Sequence, residues 1–174
     1  FPEEARFSDR DYATQTTKLF LDLLLANGTT TAAVYCTVHP ESADAFFAES
    51  SARNLRMIAG KILMDRNAPE SVLDTAQSGY DETKALIENW HGQGRNLYAV
   101  TPRFAPTSTP AQLEACGALI AEFPDVYLQS HVSENTDEVK WVAELFPDAS
   151  SYQDVYARSG MLSERALYGH AIHM

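Results

Sequence analysis

With 174 residues, 45% of them hydrophobic and 10% aromatic, the chain has the material for one soluble globular domain with a real core, and disorder is excluded. Thirteen basic against 24 acidic side chains give a formal net charge of −11, with no Lys/Arg cluster, so nucleic acid and anionic membranes are not expected as partners. Cys36 and Cys116 stand alone without Cys-x-x-Cys spacing. Buried thiols in a reducing cytoplasm are therefore expected rather than a disulfide framework or a structural zinc knot. The run Leu19 to Ala26 is too short to span a bilayer.

Residues 1–7 read as irregular. Ser8 or Asp9 then caps a helix whose apolar positions Leu19, Phe20, Leu23 and Leu24 share a face, ending at Asn27-Gly28. Thr30 to Val38 follows as a β-branched strand stopped by Pro40. Ser42 opens a second helix reaching about Arg53, and Leu55 to Leu63 is a second strand with Lys61 near its end. Pro69 to Gln77 reads as a short helix, Gly79 as a break, and Asp81 to His91 as a longer helix closed by Gly92 and Gly94. The third strand, Asn96 to Thr101, ends in Thr101-Pro-Arg-Phe104. Thr109-Pro-Ala-Gln112 is the clearest helix start, with a cap residue, proline at the first helical position and glutamine three residues after the cap. A fourth strand runs through Val126-Tyr-Leu128 toward His131. Asn135 with Glu138 then reads as cap and capping-box partner of a helix carrying Val139, Val142 and Leu145. Ser151 to Ser159 is a short helix ended by Gly160, and Ala166 begins a fifth strand expected to run to the last residue.

Five strand–helix alternations imply a parallel sheet with helical crossovers, either doubly wound or part of an eight-stranded barrel, and periodicity does not choose between them. No strand end carries Gly-x-Gly-x-x-Gly or a P-loop. The strand ends instead carry Thr37 and His39, Asp65 and Asn67, Thr101 and Arg103, His131 and Glu134, His170 and His173. In a barrel these converge on one mouth, which favours the α/β fold of the (β/α)8 TIM-barrel type. In the stretch Gln129-Ser-His-Val-Ser-Glu-Asn135, strand alternation points Tyr127, Gln129 and His131 one way, with Glu134 just beyond. Residue types alone leave His131 as either a metal or substrate ligand or a hydrogen-bonded histidine of a β/α unit, and Glu134 as either a proton-transfer group or a first-turn carboxylate.

Four motifs add a resemblance: Asn27-Gly-Thr-Thr-Thr31, Gly60-Lys-Ile-Leu-Met-Asp-Arg-Asn67, Thr101-Pro-Arg-Phe104, and Ser130-His-Val-Ser-Glu-Asn135 followed by Gly169-His170. In order and spacing the whole chain is similar to the guanine deaminases of the metal-dependent amidohydrolase superfamily. The resemblance implies hydrolytic, zinc-dependent deamination of guanine to xanthine and ammonia in purine catabolism, by a cytoplasmic homodimer. It also implies an incomplete portion of the catalytic barrel domain, about strands 2 to 6, spanning residues 1–174. The family's His-x-His on the first strand and its metal-ligating aspartate on the eighth have no counterpart here, so the piece alone is expected to be inactive. Carried over, His131 is the metal ligand and lies beside substrate. Glu134 is the catalytic acid/base in contact with substrate, His170 a second catalytic residue, Arg103 the group holding the guanine carbonyl, and Phe104 the residue against the ring. Without the family, Arg103 reads as a structural ion-pair residue and Phe104 as core. His39 and His173 have no family role and read as hydrogen-bonded or surface residues. Alternatives are another superfamily deaminase or chlorohydrolase acting on a related heterocycle, and a non-catalytic ligand-binding barrel.

Overall fold

Six strands run parallel in the computed structural model, which describes residues 1–174. They are β1 Thr31–Tyr35, β2 Arg56–Gly60, β3 Ile62–Leu63, β4 Leu97–Pro102, β5 Tyr127–Val132 and β6 Ala166–His170. The sheet order is β1-β2-β4-β5-β6, with β3 pairing β4. Neighbours in space are thus neighbours in sequence, with no reversal of the kind that defines a doubly wound sheet. Curvature is shown by Gln129 on β5, whose Nε2 donates to the Val34 carbonyl on β1 at 2.9 Å and to Thr101 Oγ1 on β4 at 3.1 Å. In a flat sheet β1 and β5 would stand three spacings apart, about 14 Å, beyond the reach of one glutamine. The sheet bends around its own interior, and the fold is a partial (β/α)8 barrel.

The crossovers follow local signals. Asp9 caps α2 (Arg10–Ala26), accepting from the Asp11 and Tyr12 amides at 2.8 and 3.1 Å. Thr109 caps α5 (Pro110–Glu122) and Asn135 caps α6 (Thr136–Leu145), as expected, and α7 (Tyr152–Arg158) starts from Ser151. Neither expected capping box closes. Gln112 donates instead to Asp74 Oδ1 at 2.6 Å, and Glu138 is buried with Oε1 unpaired. The second helix, α3 (Pro40–Ala52), begins two residues earlier than expected because Pro40 takes its first position.

Other expectations fail for identifiable reasons. Residues 1–7 are mostly helical: α1 is Pro2–Ala5, with Pro2 at its start and Glu3 and Glu4 in its first turn, and a 3-10 turn follows. Gly79 does not break a helix. α4 runs continuously over Ala76–Trp90, and a Cβ at residue 79 would lie 2.6 Å from Leu63 Cδ2 and 2.9 Å from Asp74 Oδ2, so glycine is there for close packing. Residues 69–77 form only a 3-10 turn, Glu70–Val72, before α4 begins. On α2 the buried face is Ala13, Thr17 and Leu21, while Leu19 and Leu23 point outward.

The expected second strand is split. A Cβ at Gly60 would lie 1.8 Å from the Ala99 carbonyl oxygen, so only glycine permits this approach. Lys61 then leaves the ladder with its side chain fully buried. Its Nζ donates to Asp74 Oδ2 at 2.7 Å and to the Ile62 carbonyl at 3.3 Å, with Glu82 Oε2 at 3.2 Å. Asp74 also accepts from the Met64 amide at 3.2 Å. Burial nevertheless pushes the Asp74 carboxyl above the ordinary carboxylate range. The main core packs the outer face of the sheet against the helices through Phe47, Met57, Tyr98, Val100, Leu113, Leu119 and Leu128.

Candidate active site

The C-terminal ends of β1, β4, β5 and β6 converge on His131. Its Nδ1 lies 2.6 Å from the Arg103 carbonyl oxygen. A carbonyl only accepts, so Nδ1 carries the proton, and in the neutral ring the lone pair is then on Nε2, the tautomer a metal ligand needs. The His131 amide donates to the same oxygen at 3.2 Å. Rings surround the imidazole: Tyr35 at 4.8 Å, His170 stacked at 5.4 Å and 21°, and Phe104 edge-on at 6.4 Å. Burial pushes the Tyr35 phenol far up, so it remains neutral.

His170 and His131 meet because β6 pairs with β5 in the register His131↔Gly169 and Val132↔His170. The strand ends there and does not continue to residue 174. His170 and Ala171 have φ of 74° and 50°, and the Ala171 amide turns to the Val132 carbonyl at 2.9 Å while those of Ile172 and His173 take that of Ser133. Ser133 is itself left-handed, φ 51°. Non-glycine residues in that region carry backbone strain of the sort concentrated at functional sites. Beside this turn the exposed Glu134 places Oε1 3.6 Å from His170 Nε2.

Arg103 and Phe104 flank His131 on the β4–α5 loop. Two other motif residues hold that loop: Asp65 accepts from Thr109 N and Oγ1 at 2.7 and 2.5 Å, and Asn67 Nδ2 donates to the Pro106 carbonyl at 2.7 Å. Tyr156 on α7, fully buried, ties the loop to β5. Its hydroxyl donates to the His131 carbonyl at 2.7 Å, accepts from the Ala105 amide at 3.0 Å and lies 3.1 Å from Ser130 Oγ. Burial raises its phenol to about 12. The Arg103 guanidinium meets Glu4, its Nη1 reaching Oε1 at 3.1 Å and Oε2 at 2.9 Å, with the Phe1 ring 5.3 Å away. Glu4, Tyr35, Thr37, Ile62, Arg103 and His131 line one pocket of about 310 Å³.

Every expected site residue therefore lies at this mouth, with Arg103 also in an ion pair. His39 sits at the N-cap position of α3 with Nε2 buried and unpaired, and His173 is exposed. Tyr35, Glu4 and Tyr156 were not singled out from sequence. Strand alternation over β1 could have found Tyr35; the other two carry no local signal. No three His, Cys, Asp or Glu side chains cluster closely enough to hold a metal ion together. His131 thus fits as one ligand of a larger set, and nothing in this chain completes that set.

A curved wall of parallel strands with its polar residues gathered at the C-terminal ends defines a barrel of the (β/α)8 class seen from its catalytic face. The model of the Amidohydrolase family matches residues 3–174, and the chain belongs to that family, which implies a metal cofactor. It is 50% identical to the guanine deaminase of Escherichia coli (strain K12) over all 174 residues, or 40% of that protein. The solved E. coli guanine deaminase superposes with a TM-score of 0.99 over the whole chain and 40% of its own. A guanine deaminase from C. acetobutylicum with bound guanine in the active site, 30% identical, gives 0.94 over the whole chain and 42% of its own. The chain thus spans about 40% of the length of the relatives it matches.

Proposed function

We propose that residues 1–174 are part of the catalytic barrel domain of a zinc-dependent guanine deaminase, and that the whole protein converts guanine and water to xanthine and ammonia in purine catabolism, as a cytoplasmic homodimer. The observation that carries this is the 2.6 Å contact of His131 Nδ1 with the Arg103 carbonyl, on the same residue whose side chain stands in the pocket, in a chain 50% identical to a guanine deaminase over its full length.

His131 Nε2 is one ligand; the others lie outside this chain. Zinc, when bound, supplies acidity, lowering the pKa of a coordinated water to about 7. Glu134 accepts the proton of the attacking water, delivers it to a ring nitrogen and then assists the departure of ammonia, which is general acid/base work. His170, with Nε2 3.6 Å from Glu134 Oε1, stands beside this proton path. Arg103 donates to the purine carbonyl, a role suited to a guanidinium, and Phe104 packs against the ring. The test is guanine turnover by the full-length protein, comparing wild type, Arg103→Lys and Arg103→Ala at equal zinc occupancy. A charge-assisted hydrogen bond of roughly 1.5–3 kcal/mol makes Arg103→Ala about 10- to 150-fold lower in kcat/KM, with partial recovery in Arg103→Lys. Equal values in all three would remove the substrate assignment.

A further inference from the structure

We propose that Glu4 is a positioning residue that holds Arg103 for a carbonyl-bearing heterocycle. The inference rests on the substrate-facing reading of Arg103 given above. Of the Arg103 guanidinium nitrogens, only Nη1 has a protein partner, and both Glu4 oxygens converge on it at 3.1 and 2.9 Å. Nε and Nη2 are left with no protein acceptor, and these are the donors a substrate carbonyl would use. The pair is partly desolvated, its side chains 29% and 27% exposed, in the wall of the pocket that contains His131. Arginine is long and loses much rotamer freedom when ordered. A partner that orders it before substrate arrives removes that loss from the binding step.

Glu4 reaches the site from α1, 99 residues away in sequence. It touches neither Glu134 nor His170 and acts only through Arg103, which is why it is a positioning and not a catalytic residue. The same contact admits an opposite role: Glu4 could compete with the substrate carbonyl for Arg103. Substitution separates the two.

The experiment uses full-length, zinc-loaded protein and the variants Glu4→Gln, Glu4→Asp, Arg103→Ala and Glu4→Gln/Arg103→Ala. Guanine kcat and KM, the Kd for the product xanthine, zinc content and Tm are measured. Glu4→Gln is expected to raise KM and the xanthine Kd about 10-fold, the low end for a lost charge-assisted contact, with kcat and zinc content little changed. Glu4→Asp, which keeps the charge, recovers part of the loss. In the Arg103→Ala background Glu4→Gln adds nothing, because the two residues act as one unit. A purely structural ion pair would lower Tm and leave KM and Kd where they were, which overturns the proposal. So does a tighter KM in Glu4→Gln, or additivity with Arg103→Ala. Absence of guanine turnover in wild type removes the functional reading and this proposal with it, whereas normal wild-type turnover with an unchanged Glu4→Gln removes the proposal alone.

Discussion

Lys61→Met tests whether the break between β2 and β3 is held by charge. The substitution roughly keeps side-chain length and removes the Nζ that meets Asp74 at 2.7 Å and Glu82 at 3.2 Å. Glu82, 37% exposed, returns to solvent at little cost; Asp74, 5% exposed, does not. Removing one partner of a buried pair costs about 3–5 kcal/mol, and the Gln112 and Met64 donors that remain on Asp74 place this case near 3. In urea, with a slope of about 1–3 kcal/mol per M, the midpoint falls by at least 1 M. The pH dependence has a definite sign. Asp74 already titrates above its unfolded value, and loss of Lys61 raises it further. A raised folded pKa means that the native state binds the extra proton, so stability falls as pH rises through that pKa. The deficit is therefore largest at pH 7–8 and narrows toward the unfolded carboxyl pKa of about 4. Replacing both partners, Lys61→Met/Asp74→Asn, recovers part of the loss, because no charge is left stranded and the amide oxygen at 74 still accepts from Met64 and Gln112. A Lys61→Met protein within 1 kcal/mol of wild type at pH 7, with no pH trend, would refute this account.

Tyr156→Phe strands the Ala105 amide and is expected to cost about 1–3 kcal/mol, measured by denaturant unfolding; a change under about 0.5 would mean the three-way contact is dispensable. Glu134→Gln in the full-length protein lowers kcat by about 10²- to 10⁴-fold with zinc content unchanged, by steady-state kinetics and metal analysis, and near-normal kcat would return Glu134 to a helix-start carboxylate. Burial pushes the Cys116 thiol far above its ordinary value, so it does not react promptly with a disulfide reagent at pH 8 until the chain is unfolded, and rapid native labelling of Cys116 would contradict the burial; Cys36, only half-buried and lining the pocket at the mouth, is not protected in this way.

The parts of this fold that were legible from sequence are those whose cause is local. Thr109-Pro110 and Asn135 mark helix starts through contacts within a few residues, and His131 declares itself by ending a short β-favouring run. What escaped depends on partners far along the chain. Gly79 is glycine because of Leu63 and Asp74, and Gly60 because of Ala99, so one looked like a break and the other like ordinary strand. Gln112 had the right position for a capping box, yet Asp74, 38 residues away, outcompetes the cap. Likewise β6 could not be seen to stop at His170, because the carbonyls that turn it belong to Val132 and Ser133. At the mouth, Tyr156 and Glu4 gain their roles through contacts spanning 25 and 99 residues, while Glu134 and His170, placed at the mouth by their strand ends, were given roles only by the family motif.

One peptide unit serves two masters at the mouth, since the Arg103 carbonyl holds the His131 ring while the side chain of the same residue lies in the pocket. Side-chain substitutions at 103 leave the carbonyl in place and so separate the two roles cleanly. A displacement of the backbone there does not: it moves the imidazole and the guanidinium together. A backbone shift that alters one of these contacts alters the other, and linkage makes that coupling equal in both directions. On the function proposed above, metal affinity and ligand affinity in the complete protein report on each other wherever the Arg103 peptide moves.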